Sequence, residues 1–222
     1  MEREKTTMDE HRSIEIISQM IAQTSADIDR ESGKYFLLWG YTTVIVTLGQ
    51  CLAYSLGANS TLCAWCWWLI PIIGGIGTLW QNHRASNGKI RRPKSYLDRS
   101  ISAVWMVIGL SFGMVFIAAL VYQTSILFLT SVLMSIGTVI TGKICQHRVL
   151  TISGKLSMIF SLLFPIRHLL VREYSIALHE SGINHIEFLL YGEMIIFAVI
   201  FVVMMVVPGH ILYNRAKHLR NA

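Results

Sequence analysis

Apolar residues in this chain come in long runs, not in the strict alternation of a strand or the three-and-four spacing of a half-buried soluble helix. A helix needs about 20 mostly apolar residues to cross a hydrocarbon layer of roughly 30 Å. Runs of that kind, bounded by polar residues, predict six membrane spans: Tyr35–Leu56, Thr61–Trp80, Ser100–Tyr122, Thr124–Thr141, Val149 to about Phe164, and Ile186–Val207. The fifth is short and carries Lys155, and the sixth is strongly apolar with Glu193 in its first half. Connections as short as Gly57–Ser60 and Gln123 force antiparallel neighbours, whereas Gln81–Arg99 and Pro165–His185 are longer. The expected fold is all-α: a polytopic membrane bundle of six transmembrane helices arranged as three antiparallel hairpins.

Ahead of the first span the pattern changes. Between Met8 and Arg30, Ile14, Ile17, Ile21, Thr24 and Ile28 recur at spacings of three and four, which predicts an amphipathic helix. Asp9, Glu10 and Glu15 suit its start, and Gly33 is expected to break it before the membrane. Three regions follow: a cytosolic amphipathic helix over 1–34, a membrane domain over 35–207 and a basic cytosolic tail over 208–222. The stripe Ile14, Ile17, Ile21 and Ile28 needs a covering surface. Residues 1–34 carry eight acidic and five basic side chains, so anionic lipid is a poor cover for it and protein is a better one. The expected partners are therefore the lipid bilayer for the spans and, through residues 8–30, a second copy or a cytosolic protein.

Composition agrees with a membrane body. The chain is 53% hydrophobic and only 14% charged, against roughly a quarter charged in soluble domains. A soluble enzyme, a disulfide-rich secreted module and a disordered polypeptide are thereby excluded. Lys and Arg in short loops are retained on the cytoplasmic side. With the N-terminus inside, every one of them except Lys155, Arg167 and Arg172 falls on that side, so both termini are expected in the cytoplasm. The net charge of +6 is then a topological signal, and Ile90-Arg91-Arg92-Pro93-Lys94 orients the bundle and does not bind nucleic acid.

Where the amphipathic helix meets the first span, Lys34-Tyr35-Phe36-Leu37-Leu38-Trp39-Gly40-Tyr41 resembles the start of a group of small uncharacterised bacterial multi-pass proteins with a charged N-terminal helix. The resemblance covers the first quarter of the chain. It implies a bacterial inner-membrane protein and transfers no catalytic residue.

Ionisable groups within a bilayer are functional candidates by default, which brings Lys155 and Glu193 forward. From the span limits they differ in depth by about 10 Å, too far for direct pairing unless a boundary slips by a turn. Cys63-Ala64-Trp65-Cys66 forms a C-x-x-C near one end of span two, with Cys51 close to the same end of span one. Thiol exchange there, or a Cys51 bridge to Cys63 or Cys66, is permitted on an oxidising side. Pro71 with Gly74, Gly75 and Gly77 should kink or loosen span two, as transporters do at binding sites. Gly109-x-x-x-Gly113 and Ser131-x-x-x-Ser135 suit close helix approach. His168 and His179 share a helical face, yet lie about 16 Å apart and cannot hold one ion. No phosphate loop, H-E-x-x-H or G-x-S-x-G is present, and neither a catalytic residue, a cofactor nor a metal is expected.

The expected function is a non-enzymatic inner-membrane scaffold or regulator acting through its N-terminal helix. One alternative is a small transporter or channel using Glu193, Lys155 and the broken second span. The other is a membrane thiol oxidoreductase using Cys63 and Cys66.

Overall fold

The computed structural model describes residues 2–59, 63, 65–86, 96–122, 126–173 and 185–221. Among these there is no strand. The helices are α1 (Glu2–Ser55), α2 (Leu69–Ser86), α3 (Tyr96–Tyr122), α4 (Ile126–Ile144), α5 (Arg148–Phe160), α6 (Leu163–Glu173) and α7 (His185–Phe201). A π-helical turn (Val202–Val206) then leads into α8 (Val207–Asn221). Five stretches among the described residues are long and apolar enough to cross a membrane: Glu31–Ser55, Arg99–Ala118, Ile126–Ile144, Arg148–Leu170 and Tyr191–Lys217. The protein is an all-helical, multi-pass membrane protein.

Two runs differ in extent from the sequence expectation. The short fifth run, expected as a span, is longer than expected and long enough to cross, because the helix resumes after a turn at Ser161–Leu162 and continues through Pro165. Proline has no N–H, so the Ser161 carbonyl takes the Phe164 N–H instead, at 3.2 Å. Pro165 thus sits in the first turn of α6, where that missing donor is no loss. The second run, by contrast, is broken ahead of Pro71. Trp67 and Trp68 form a turn, and α2 starts only at Leu69 and runs on into Gln81-Asn82-His83-Arg84. It is therefore not among the five crossings. Gly74 and Gly77 do not loosen α2: a Cβ on Gly74 would lie 2.9 Å from the Trp39 ring, and one on Gly77 2.8 Å from Leu38. Both glycines are notches for α1.

The expected break at Gly33 is also absent. α1 runs for 54 residues without interruption, about 80 Å at 1.5 Å per residue. A Cβ on Gly33 would stand 3.1 Å from both the Gly209 carbonyl oxygen and the Tyr213 nitrogen, so backbone lies nearly on backbone. One to two turns on, a Cβ on Gly40 would meet Met205 at 2.9 Å. α1 and α8 are thus clamped antiparallel. The segment expected to be a basic tail is the last part of the same helix, and it buries Leu212 and Ala216. The π-helical turn makes this possible: Val207 N–H bonds back to the Val202 carbonyl, one residue further than in an α-helix, just where Pro208 would otherwise collide with the preceding turn.

Contacts do not sort into three separate hairpins. The most extensive pairs are α1 with α8, from opposite ends of the chain, and α4 with α5. The latter two meet along small residues, where a Cβ on Gly142 would be 2.6 Å from the Thr151 nitrogen and one on Gly154 2.9 Å from the Val139 nitrogen. Buried hydroxyls in this seam bond back into their own helices: Ser131 to the Leu127 carbonyl at 2.8 Å, Ser135 to Ser131 at 2.7 Å and Ser161 to Ser157 at 2.8 Å. Each thereby satisfies its hydroxyl within its own helical path, and Ser135 also approaches the Met204 sulfur of the π-helical turn at 3.5 Å. The turn between α4 and α5 closes with Gln146 N–H to Lys143 O and His147 N–H to Gly142 O, and holds Gln146 at φ 55°. At the centre of the molecule α7 and the π-helical turn supply Phe197, Ile200, Phe201, Met204 and Met205 to a core shared with Phe36, Leu127, Leu150 and Phe164.

Candidate functional site

The structure does not bring Lys155 and Glu193 together. Lys155 is exposed on α5, next to Gly154, which faces α4. Glu193 is half-buried on α7, and the cation beside it comes from α6: a Cβ on Gly192 would fall 2.0 Å from the guanidinium carbon of Arg167. Arg167 therefore lies across the backbone of the residue next to Glu193. From the sequence, Pro165 suits a first helical turn and Arg167 falls in a short helix outside span five; that this helix continues the span and brings Arg167 against α7 is set by packing. Chemically, the arrangement places a half-buried guanidinium against the helix that carries a half-buried carboxylate one residue on.

Cys51, Cys63, Cys66 and Cys145 are thiols in the structure, and the bridge from Cys51 to Cys63 or Cys66 that the sequence permits is not present among them. Cys63 is buried, and its carbonyl accepts the Gln50 side-chain N–H at 2.6 Å, pinning the short helical piece around Cys63 to α1. Gln50 is itself buried, and its Oε1 has no hydrogen-bond partner among the described residues. Cys145 lies in the turn after α4.

Of the N-terminal stripe, the backbone is helical, while the side chains of Ile14, Ile17, Ile21 and Ile28 lie outside the described residues. Arg12, Glu15 and Ile16 on the same stretch are exposed. Also outside the description are Lys89, Arg91, Arg92 and Lys94 of the basic loop and His179 of the segment before α7.

A polar collar absent from the sequence reading surrounds α1 where it meets α2 and α8. Tyr35 donates to Asn82 at 2.5 Å, Trp39 donates its indole N–H to Thr78 at 3.1 Å, and Thr78 in turn donates to the Gly74 carbonyl at 2.7 Å. On the other side the Tyr41 hydroxyl and His210 Nε2 are 2.6 Å apart with their rings edge to face at 5.8 Å. Arg84 lies over the Trp80 ring at 5.0 Å. Tryptophans such as Trp39 and Trp80 suit a membrane interface from sequence alone; the packing of α2 and α8 gives Tyr35, Trp39 and Tyr41 their partners.

Compared with known protein families, characterised proteins and solved structures, the chain matches none. The functional argument therefore rests on its own geometry.

Proposed function

We infer that this protein is a non-enzymatic membrane scaffold or regulator whose N-terminal helix docks a second copy or a soluble protein. The single observation supporting this is the continuity of α1 from Glu2 to Ser55, together with the glycine clamp that fixes it to α8. A stripe carried on an unbroken extension of a clamped span is presented at a fixed height and angle, so the ordering entropy of docking is already reduced. The finer topology belongs to the same reading. The short helical piece at Cys63–Cys66 and α2 complete a sixth crossing, which puts both termini on one side of a bacterial inner membrane, and the distribution of Lys and Arg makes that side cytoplasmic. Replacing Ile17 and Ile21 by Glu, or deleting residues 2–30, is expected to abolish co-purifying partners or self-association while membrane insertion persists. An unchanged oligomer with unchanged partners overturns the reading.

A second reading, a small transporter or channel, is favoured by one observation: half-buried Arg167 lies against Gly192, the residue before half-buried Glu193, within a span-length bundle. Flux into liposomes that disappears in Glu193→Gln supports it.

A further inference from the structure

Along α1, between α2 and the lip formed by Tyr213 of α8, an open groove of about 440 Å³ runs from Lys34, Gln81 and Tyr213 at one end to Ile45 and Val46 at the other, with Ile73 on its wall. Lys34 to Ile45 is eleven residues, about 16 Å of helix, which matches one leaflet of a hydrocarbon layer roughly 30 Å thick. The polar end coincides with the limits of two spans, Glu31–Ser55 and Tyr191–Lys217, so it lies where hydrocarbon gives way to headgroups. The apolar end opens sideways: Ile45 is 66% and Ile73 45% exposed. Lys34 lines the polar end; Arg84 follows Gln81 by three residues, Arg215 and Lys217 follow Tyr213 by two and four, and all three are exposed, as is the acid Glu31.

We propose that this groove is a binding site for one anionic phospholipid, its phosphate held by the Lys34 ammonium with the Tyr213 hydroxyl and Gln81 amide as further donors, and one acyl chain lying along Leu38, Ile45 and Ile73. Charge complementarity selects the headgroup, and the leaflet-length trough selects a lipid over a soluble phosphate. The site is independent of whatever the N-terminal stripe binds.

The test is native mass spectrometry of the full chain in detergent, titrated with phosphatidylglycerol or phosphatidylcholine. The wild type is expected to retain one phosphatidylglycerol in preference to phosphatidylcholine. Lys34→Gln should weaken phosphatidylglycerol about fivefold, the worth of one cation at an anionic surface, and leave phosphatidylcholine unchanged. Ile45→Trp, a change at an exposed position that fills the trough, should weaken both lipids. Lys155→Gln removes the same charge elsewhere and should change neither. Equal retention of the two lipids by the wild type, an equal loss in Lys155→Gln, or displacement of the bound lipid by soluble glycerol phosphate overturns the proposal.

Discussion

The third and last spans are both apolar enough to cross a membrane, the most apolar 18 residues within Arg99–Ala118 and Tyr191–Lys217 having mean hydropathies of 2.2 and 2.7, yet 6% of the former stretch and 56% of the latter is buried. One is an outrigger and the other is the hub. Within lipid the surroundings are as apolar as leucine, so hydrophobicity does not decide which helix enters the middle. Notches do. The last span lies against Gly33 and Gly40 of α1, whereas Gly109 and Gly113 of α3, the one glycine pair at the familiar four-residue spacing, have no other part of the molecule within 4 Å of an added Cβ. α3 is held mainly by Ile108 seated on Gly137 of α4, and by the edge-to-face contacts of Trp105 with Phe36 and Phe116 with Trp68.

The contrast can be broken from the hub first. Gly40→Val should destabilise the protein by about 3 kcal/mol, because the new side chain meets Met205 Cβ and the Val206 backbone and α1 must lift off α8. Thermal unfolding in nanodiscs would show it, and a wild-type transition would mean that the clamp is not tight. Phe197→Ala comes next at about 2 kcal/mol in the same assay: it leaves a cavity and removes ring contacts to Trp67 at 5.8 Å and Phe201 at 4.6 Å. The double change Gly109→Ala with Gly113→Ala is expected to move the transition in the stabilising direction, by about 1–2 kcal/mol, as helix propensity rises at two positions and no described neighbour is met. A large loss there would mean that α3 packs on another molecule. Gly137→Ala should have a smaller effect, about 1 kcal/mol, since the obstacle is the tip of Ile108, which can rotate away. At the turn after α4, Gln146→Gly should stabilise by about 0.5–1 kcal/mol, because a glycine accepts the left-handed backbone that glutamine tolerates only under strain.

Local propensity misled where tertiary contact overrode it. Gly33 is expected to end a helix, yet in the structure it, Pro165 and Pro208 each lie inside a longer helical path. Gly33 is tolerated because contact with α8 outweighs its poor propensity. Pro165 falls just after a turn, and Pro208 follows a π-helical turn that has already displaced the clashing carbonyl. Span limits drawn at Phe164 and Val207 gave no sign that Arg167 reaches Gly192 or that His210 reaches Tyr41 of α1. Pro71 was recognised as a breaker, but the break falls ahead of it, and that shift of a few residues carries Asn82 and Thr78 to Tyr35 and Trp39.

Residue by residue, the chain alone determines that it is helical, that lipid surrounds most of it and that its cations gather in particular connections, because each of these depends on the solvation of single side chains. Which helix lies beside which, that the first and last spans clasp, and that Arg167 and not Lys155 stands next to Glu193 were decided only in three dimensions. Shape at close approach governs those choices, and a glycine that admits a neighbour reads the same in one dimension as a glycine that faces lipid.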